Sequence, residues 1–141
     1  MKIRKFKSSD YKSLCAKPGA TTYDLSDQEL MLLEKARHSY TIIDDKDEVM
    51  AIGGLTEYWP NRAESWIIFD RKMTPGKFLG VHRIVKKFLK LGLVRRVEAA
   101  VECGSEKGMA LVNSLGFIME ARRLRSYLPS GKDCTLFARV G

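Results

Sequence analysis

The spacing of apolar residues changes repeatedly along the chain, and each change marks a predicted element. Short alternating or β-branched runs predict strands, and these fall at residues 2–7, 40–43, 49–55, 63–69, 94–101, 117–127 and 133–140. Apolar residues three or four positions apart predict helices at residues 27–38, 81–91 and 105–115, and a short one that begins near Ser8 and ends before Lys17, Pro18 and Gly19. The predicted order is β-α-α-β-β-β-α-β-α-β-β, a mixed α/β domain.

Capping residues support these helix boundaries. Ser26 and Glu29 have the spacing of a capping box, and Ser105 is a typical N-cap residue for the last helix. Gly92 and Gly116 follow the last apolar residue of two predicted helices, where glycine commonly ends a helix. We therefore expect the helices to begin and end close to these residues.

Length and composition favour one domain, residues 1–141, because the chain is 45% hydrophobic and contains neither a repeat nor a linker-like stretch. The net charge is +8, and residues 71–96 hold nine Lys or Arg and no Asp or Glu. Such a field suggests an anionic partner, either a phosphate-bearing small molecule or a nucleic acid, or else a solvated helix face. No nucleic-acid-binding motif or interleaved aromatic residues accompany the basic run, which disfavours nucleic acid.

Other classes of protein are excluded by the same sequence. No apolar run approaches the roughly 20 residues of a membrane span, and the start of the chain lacks the apolar core of a signal peptide. We therefore expect a cytoplasmic protein, in the host cell if the gene is phage-encoded. Three cysteines without paired spacing and two histidines make disulfides and a metal site unlikely candidates, and no metal is predicted.

Residues 74–80 contain the first candidate for binding chemistry. Gly76 and Gly80 allow close approach of a ligand to the backbone, and the start of the following helix with Lys77 suits phosphate oxygens. The alternative is structural, with Gly76 as a cap and Gly80 as a site of close helix packing.

The order of elements and two short stretches resemble the GCN5-related N-acetyltransferases (GNAT). Residues 101–117 look like that family's strand, helix and closing Leu115, Gly116 and Phe117, and residues 76–80 look like a modified pyrophosphate loop. The resemblance implies a GNAT-like fold that binds acetyl-CoA between two splayed parallel strands. The residues it assigns to acetyl-CoA are Ile68, Phe69, Gly76, Lys77, Phe78, Leu79, Gly80 and Ser105.

A narrower resemblance concerns residues 51–54, the Trp-containing strand that follows and the Leu-Gly-Phe segment. Together they are similar to small acetyltransferase-like proteins of tailed bacteriophages, including a T7-type morphogenesis protein. This resemblance implies a phage or prophage origin.

The catalytic residues implied by the GNAT resemblance are incomplete. Val112 stands where many members have a Tyr that protonates the leaving thiolate, so a general acid must come from elsewhere. Glu64 and Glu102 border the expected cleft and are the candidate bases, and Tyr127 is the candidate proton donor. Each has a structural alternative, as a solvated strand-end charge or a packed aromatic.

Four further residues are weaker candidates. His82 suits proton transfer near neutral pH but is better explained as a surface or helix-cap histidine. Cys103 lacks a His-Asp pair and is better explained as a small buried residue. Trp59 and Trp66 suit an acceptor pocket, although core packing explains Trp66 as well.

The sequence thus predicts an acetyl-CoA-dependent N-acetyltransferase that acts by direct attack of an unknown amine. The alternative is a catalytically inert protein of this fold that binds or assembles phage components. A homodimer and a phage assembly partner are both compatible with the sequence.

Overall fold

The structure is a computed structural model that describes residues 1–16 and 25–141. The predicted turn at Lys17, Pro18 and Gly19 lies outside the described residues. The described strands are β1 (Lys2–Lys5), β2 (His38–Ile43), β3 (Val49–Trp59), β4 (Arg62–Phe69), β5 (Arg96–Glu102), β6 (Ile118–Leu124) and β7 (Cys134–Val140). The described helices are α1 (Ser8–Cys15), α2 (Asp27–Lys35), α3 (Pro75–Lys90) and α4 (Glu106–Ser114).

The strands form one seven-stranded mixed sheet in the order β1-β2-β3-β4-β5-β7-β6. β4 and β5 are parallel, with Arg62 opposite Arg96 and Glu64 opposite Glu98. The pairs β1–β2, β2–β3, β5–β7 and β6–β7 are antiparallel. The mixed α/β class and the predicted order of elements are confirmed.

The chain divides into two compact units, which are described separately. Unit 1 comprises Met1–Thr56 and Trp66–Lys87, and unit 2 comprises Glu57–Ser65 and Phe88–Gly141. Both β3 and β4 contribute residues to each unit.

The core of unit 1 has two apolar clusters, and β4 supplies residues to both. Ile68, with Trp66 at its edge, belongs to a cluster with Leu30 and Ile52. Ile67 and Phe69 pack against the other cluster, whose buried residues are Ile42, Met50, Ala51 and Val81. The alternation follows from the two-residue period of a strand, which sends successive side chains to opposite faces.

A buried carboxylate ties α1 to the sheet in unit 1. Asp10 is 4% exposed, accepts two hydrogen bonds from Arg4 at 2.7 and 2.8 Å, and accepts one from Thr41 Oγ1 at 2.6 Å. It also accepts the Lys7 amide at 2.9 Å, which caps the helix. Every oxygen of this buried group therefore has a partner, as burial requires.

In unit 2, α4 packs on β5, and the last strand holds the end of α3. A Cβ at Gly108 would lie 2.8 Å from Val101 Cγ1, so glycine permits the close approach of α4 to β5. Arg139 of β7 donates a hydrogen bond from Nη1 to the Leu89 carbonyl at 2.9 Å. The Leu89 carbonyl, in the last turn of α3, also accepts the Gly92 amide at 3.2 Å, so Arg139 provides its second hydrogen bond.

Several predicted caps are confirmed. Ser26 Oγ accepts the Glu29 amide at 3.1 Å, and Ser105 Oγ accepts the Gly108 amide at 3.2 Å. Gly92 and Gly116 have φ angles of 64° and 89°, the left-handed conformation that ends helices at glycine.

Several boundaries differ from the sequence prediction, among them those of α2, β3 and β6. α2 ends at Lys35 because His38 and Ser39 pair with Leu55 and Gly54 of β3. A Cβ at Gly54 would lie 1.9 Å from the His38 carbonyl oxygen, so this pairing needs glycine. β3 extends to Trp59 instead of ending at residue 55, and β6 ends at Leu124, before Tyr127.

Within residues 1–16 and 25–141, no helix combines the length and apolar character needed to cross a bilayer. The same residues contain no group of three or more His, Cys, Asp or Glu side chains suited to a metal ion.

Candidate active site

A carboxylate and two tyrosines form the most distinctive polar cluster of unit 2, which we call the Glu64 cluster (Tyr58, Glu64 and Tyr127). Tyr58, near the end of β3, donates its hydroxyl hydrogen to Glu64 Oε2 on β4. This hydrogen bond is the main reason that the pKa of Tyr58 is raised, with burial and the charge of Glu64 adding to it. The hydroxyl therefore remains protonated and keeps the carboxylate oriented.

Tyr127 lies in the electrostatic field of the same carboxylate. Burial raises the pKa of its hydroxyl first, and the negative charges of Glu64 and Glu98 raise it further. The turn before it is ordered by Asp133, which accepts the Ser126 amide at 2.9 Å and Arg123 Nη1 at 3.0 Å. Tyr127 is still 42% exposed, so its hydroxyl combines a retained proton with access from solvent.

A network of two arginines and two glutamates stands beside the Glu64 cluster. Glu98 is 2% exposed and accepts Arg62 Nε at 2.6 Å and Arg96 Nε at 2.9 Å. Arg96 also donates to both oxygens of Glu120, at 2.6 and 3.1 Å. Arg62 foremost, together with Arg96, lowers the pKa of Glu98 against the opposing effect of burial.

This network fixes the aromatic residues next to Glu64. The Arg62 guanidinium lies 4.9 Å from the Tyr58 ring centroid and 4.4 Å from that of Trp59. Since Glu98 holds the guanidinium on its other side, the cation–π contacts give the Tyr58 ring a defined position. The charges of Glu98 and Glu120 are neutralised by Arg62 and Arg96. Glu64 has no ion pair within the described residues.

The second candidate base, Glu102, is in a different environment. Its Oε1 lies 3.1 Å from Lys132 Nζ, and both side chains are at least half exposed. Cys103 Sγ lies 3.7 Å from Thr135 Oγ1, a weak polar contact that gives the thiol no activating base. Val112 is a buried residue of α4.

The start of α3 in unit 1 carries the residues that the sequence assigned to the cofactor. The sequence analysis placed residues 76–80 in a turn, whereas the helix already begins at Pro75. Thr74 caps it: its Oγ1 accepts the Lys77 amide at 3.3 Å and its carbonyl accepts the Phe78 amide at 2.9 Å. Helical conformation here follows from Pro75, whose fixed φ suits the first helical position.

The two glycines of α3 have different surroundings. A Cβ at Gly76 would meet no atom within 4 Å, so the first turn of the helix is open on that side. A Cβ at Gly80 would lie 3.0 Å from Met1 Sδ, so Gly80 makes room for a side chain of unit 1 itself. Only Gly76 has the open surroundings that a ligand would need.

Lys77 is held by a carboxylate from the β2–β3 turn. Its Nζ lies 2.9 Å from Asp44 Oδ2, and the Asp44 side chain is only 7% exposed. Asp44 Oδ1 accepts the Lys46 and Glu48 amides at 2.8 and 3.0 Å. Lys77 foremost, and these amides, lower the pKa of Asp44 to about 2. The charge of Lys77 is therefore largely neutralised inside unit 1.

The remaining assigned residues are mostly packing residues. Ile68 is 6% exposed in the unit 1 core, and the rings of Phe69 and Phe78 lie 5.6 Å apart. Leu79 is 48% exposed on α3. Ser105, in unit 2, is the α4 cap described above. Their assignment to a cofactor stays a prediction.

With the fold and these sites described, the chain can be compared with known proteins. No protein-family model and no curated protein matches the sequence. Solved structures do match over nearly the whole chain. An acetyltransferase of the GNAT family from Bacillus anthracis has a TM-score of 0.74 at 14% identity, covering 98% of this chain and 93% of that one.

Two further solved structures are similar. Ard1 from Thermoplasma volcanium has a TM-score of 0.77 at 15% identity, covering 99% of this chain and 96% of that one. The ribosomal-protein-S18-alanine N-acetyltransferase from Escherichia coli has a TM-score of 0.73 at 16% identity, covering 99% and 92%. The fold is the GNAT acetyltransferase fold. At these identities the similarity establishes the fold alone, and the narrower likeness to phage proteins stays a prediction.

Four residues that take part in these contacts were not predicted from the sequence: Asp44, Tyr58, Arg62 and Glu98. Tyr58 was outside the predicted strand, which ended at residue 55, although its place before a Pro-Asn turn and Glu64 was a usable hairpin signal. Glu98 and Arg62 are separated by 36 residues, and Asp44 and Lys77 by 33. Nothing in the local sequence pairs residues so far apart.

Proposed function

We propose that this protein is an acetyl-CoA-dependent N-acetyltransferase in which Glu64 serves as the base and Tyr127 as the proton donor. The observation that carries the proposal is the Glu64 cluster. Its carboxylate has no ion pair in the described residues and accepts a hydrogen bond from Tyr58, and its charge acts on the hydroxyl of Tyr127. The GNAT fold provides the context, since function belongs to the site and not to the fold. The acceptor is an amine.

Acetyl-CoA supplies a thioester whose carbonyl carbon the acceptor amine attacks. Glu64 takes the proton that the amine nitrogen loses, directly or through one water, as the C–N bond forms. Tyr127 gives its hydroxyl proton to the sulfur as the C–S bond breaks. The Tyr127 hydroxyl is protonated at neutral pH and is 42% exposed, the two properties that this role requires.

We assign the binding of a phosphate of acetyl-CoA to unit 1. In unit 1, the open position at Gly76 suits approach of a phosphate to the first turn of α3, where the helix dipole favours negative charge. Lys77 is better described as a residue that positions α3 than as a direct ligand, because Asp44 already binds it. We place the reaction in the cytoplasm, that of the host for a phage-encoded protein.

One observation favours a second function. Val112 is buried and cannot donate a proton at the position where many acetyltransferases carry tyrosine. If Tyr127 does not replace that residue, the chain is an inert protein of this fold that binds or assembles phage components. Turnover distinguishes the two functions.

The decisive experiment begins with acetyl-CoA and the wild-type protein. Acetyl-CoA at 100 times its dissociation constant adds about 2.7 kcal/mol to stability, which for this size raises Tm by about 5–10 °C. Glu64→Gln should keep this shift and lower turnover on a reactive amine by about 10²–10⁴-fold. Glu102→Gln is the matched control and should change turnover little, since Glu102 is paired with Lys132.

Three outcomes contradict the proposal. Absence of a thermal shift at millimolar acetyl-CoA would show that the protein is not an acetyl-CoA-dependent enzyme. A shift without acetylation of any amine in a broad panel favours the inert protein. Equal losses in Glu64→Gln and Glu102→Gln remove Glu64 from the role of base.

A further inference from the structure

α3 presents an exposed cluster of cations that no carboxylate of residues 1–16 and 25–141 neutralises. Arg83, Lys86 and Lys87 are all exposed, and their spacing of three and four residues places them on one face of the helix. We call them the basic face. None of the three forms an ion pair within the described residues.

Some cations of the chain are neutralised by a carboxylate, whereas others, such as Lys107, Arg122 and Arg125, also have no ion pair within residues 1–16 and 25–141. Arg4 is paired with Asp10, Arg123 with Asp133 and Lys77 with Asp44. Like charges one helical turn apart repel each other and destabilise a helix. A partner that supplies negative charge would relieve this repulsion, so the basic face is suited to an anionic partner.

The basic face is also distinct from the proposed phosphate position. Arg83 follows Gly76 by seven residues and Lys87 by eleven. At the helical rise of 1.5 Å per residue, the two lie about 10 and 16 Å further along the helix axis. A pyrophosphate at Gly76 would therefore leave Lys86 and Lys87 without a partner.

The sequence disfavours nucleic acid because it lacks a binding motif, but such a motif is needed only to recognise a sequence. We propose that the basic face of α3 binds the phosphate backbone of nucleic acid, without recognising its sequence. Cation–phosphate contacts alone supply this kind of binding, and the face offers three cations and no base-reading element. A regular array of phosphates matches a row of cations spaced along a helix better than one small anion does.

Two other occupants fit less well. Insertion into a membrane surface needs an exposed apolar helix face, but Val81 of α3 is fully buried and Ile84 and Val85 pack on the same core cluster. An acidic protein partner would normally also contact apolar or aromatic anchors, and Leu79 is the sole exposed apolar residue aligned with the basic face within unit 1 as described.

The test measures fluorescence anisotropy of a labelled random-sequence DNA duplex of about 20 base pairs, without acetyl-CoA, between about 50 and 200 mM NaCl. The variant R83E/K86E/K87E reverses the basic face. The control K107E/R122E/R125E makes the same change in net charge at exposed residues of unit 2 that have no ion pair in the described part of the chain. Circular dichroism and Tm confirm that both variants are folded.

Wild-type protein should bind in the range of about 10⁻⁴–10⁻⁶ M, and its affinity should fall with salt. Reversal of the basic face should weaken binding by about tenfold or more and lower the slope of log K against log salt by about 2.7, the value for three phosphate contacts. The control should keep most of the affinity and slope.

Four results would overturn the proposal: no binding of the wild type at low salt, equal losses in the two variants, tighter binding to phosphatidylserine vesicles, or tighter binding to polyglutamate. Equal losses would mean that net charge alone is responsible. Because no cofactor is present, failure here leaves the acetyltransferase proposal unaffected, and failure of the acetyl-CoA experiment leaves this one unaffected.

Discussion

Asp44 in unit 1 and Glu98 in unit 2 are both buried carboxylates that accept hydrogen bonds from cations. The net charge that remains around each of them after pairing is different. Asp44 neutralises Lys77, so the start of α3 keeps little of its expected positive charge. Glu98 and Glu120 neutralise Arg62 and Arg96, and the carboxylate of Glu64 remains. The chemistry of each region therefore depends on the charge left after pairing and not on the count of charged residues.

The largest effect is expected at Glu98, which joins two arginines. Glu98→Ala leaves Arg62 and Arg96 facing each other in a half-buried site, and the loss of one member of a buried pair costs about 3 kcal/mol. Urea unfolding measures this loss. Glu120→Ala is the control, and because Glu120 is exposed its loss should be much smaller. Equal losses would show that the burial of Glu98 does not distinguish it.

A smaller effect, with a characteristic pH dependence, is expected at Asp44. Its pKa in the folded state is about 2, below the ordinary value of about 3.9. A lowered pKa adds stability that is complete above pH 4 and disappears as the pH falls toward 2. Asp44→Asn should therefore lower Tm at pH 5 and above.

The check is the difference in Tm between wild type and Asp44→Asn, measured from pH 6 to pH 2. The difference should shrink between about pH 4 and 2. A difference that stays constant over this range would assign the effect to packing and not to the charge on Asp44.

The smallest effect is expected at Tyr58. Tyr58→Phe removes only the hydrogen bond to Glu64, and at a partly exposed site this costs about 1 kcal/mol or less. Tyr127→Phe is the control for stability, because the Tyr127 hydroxyl makes no hydrogen bond in the described structure. Turnover should fall in both variants if Tyr58 orients the base and Tyr127 donates the proton. Unchanged turnover in Tyr58→Phe would limit Tyr58 to a structural role.

Local signals were sufficient for most of the fold. Ser26, Ser105, Gly92 and Gly116 mark helix ends through interactions with residues only a few positions away, and the structure confirms them. One error was local, because Thr74 and Pro75 start α3 earlier than predicted. Two others fall where distant residues decide. Strand pairing of His38 with Leu55 shortened α2, and the extension of β3 to Trp59 depends on its neighbours in the sheet.

The candidate site shows the same division. Glu64 was predicted as a base from its place on a strand, but its orientation by Tyr58 was not predicted. Lys77 was predicted as a phosphate ligand because the sequence does not show that Asp44, 33 residues earlier, reaches it. Local sequence indicates which groups are present, and tertiary contacts decide which of them remain available.

The hydrogen bond from Arg139 to the Leu89 carbonyl has a consequence for synthesis of the chain. The two residues are 50 positions apart. At about 5–20 residues per second, a ribosome adds Arg139 roughly 3–10 s after Leu89. During that interval the Leu89 carbonyl has the Gly92 amide three residues later as a partner but not Arg139, so the link between α3 and β7 is made only late in translation.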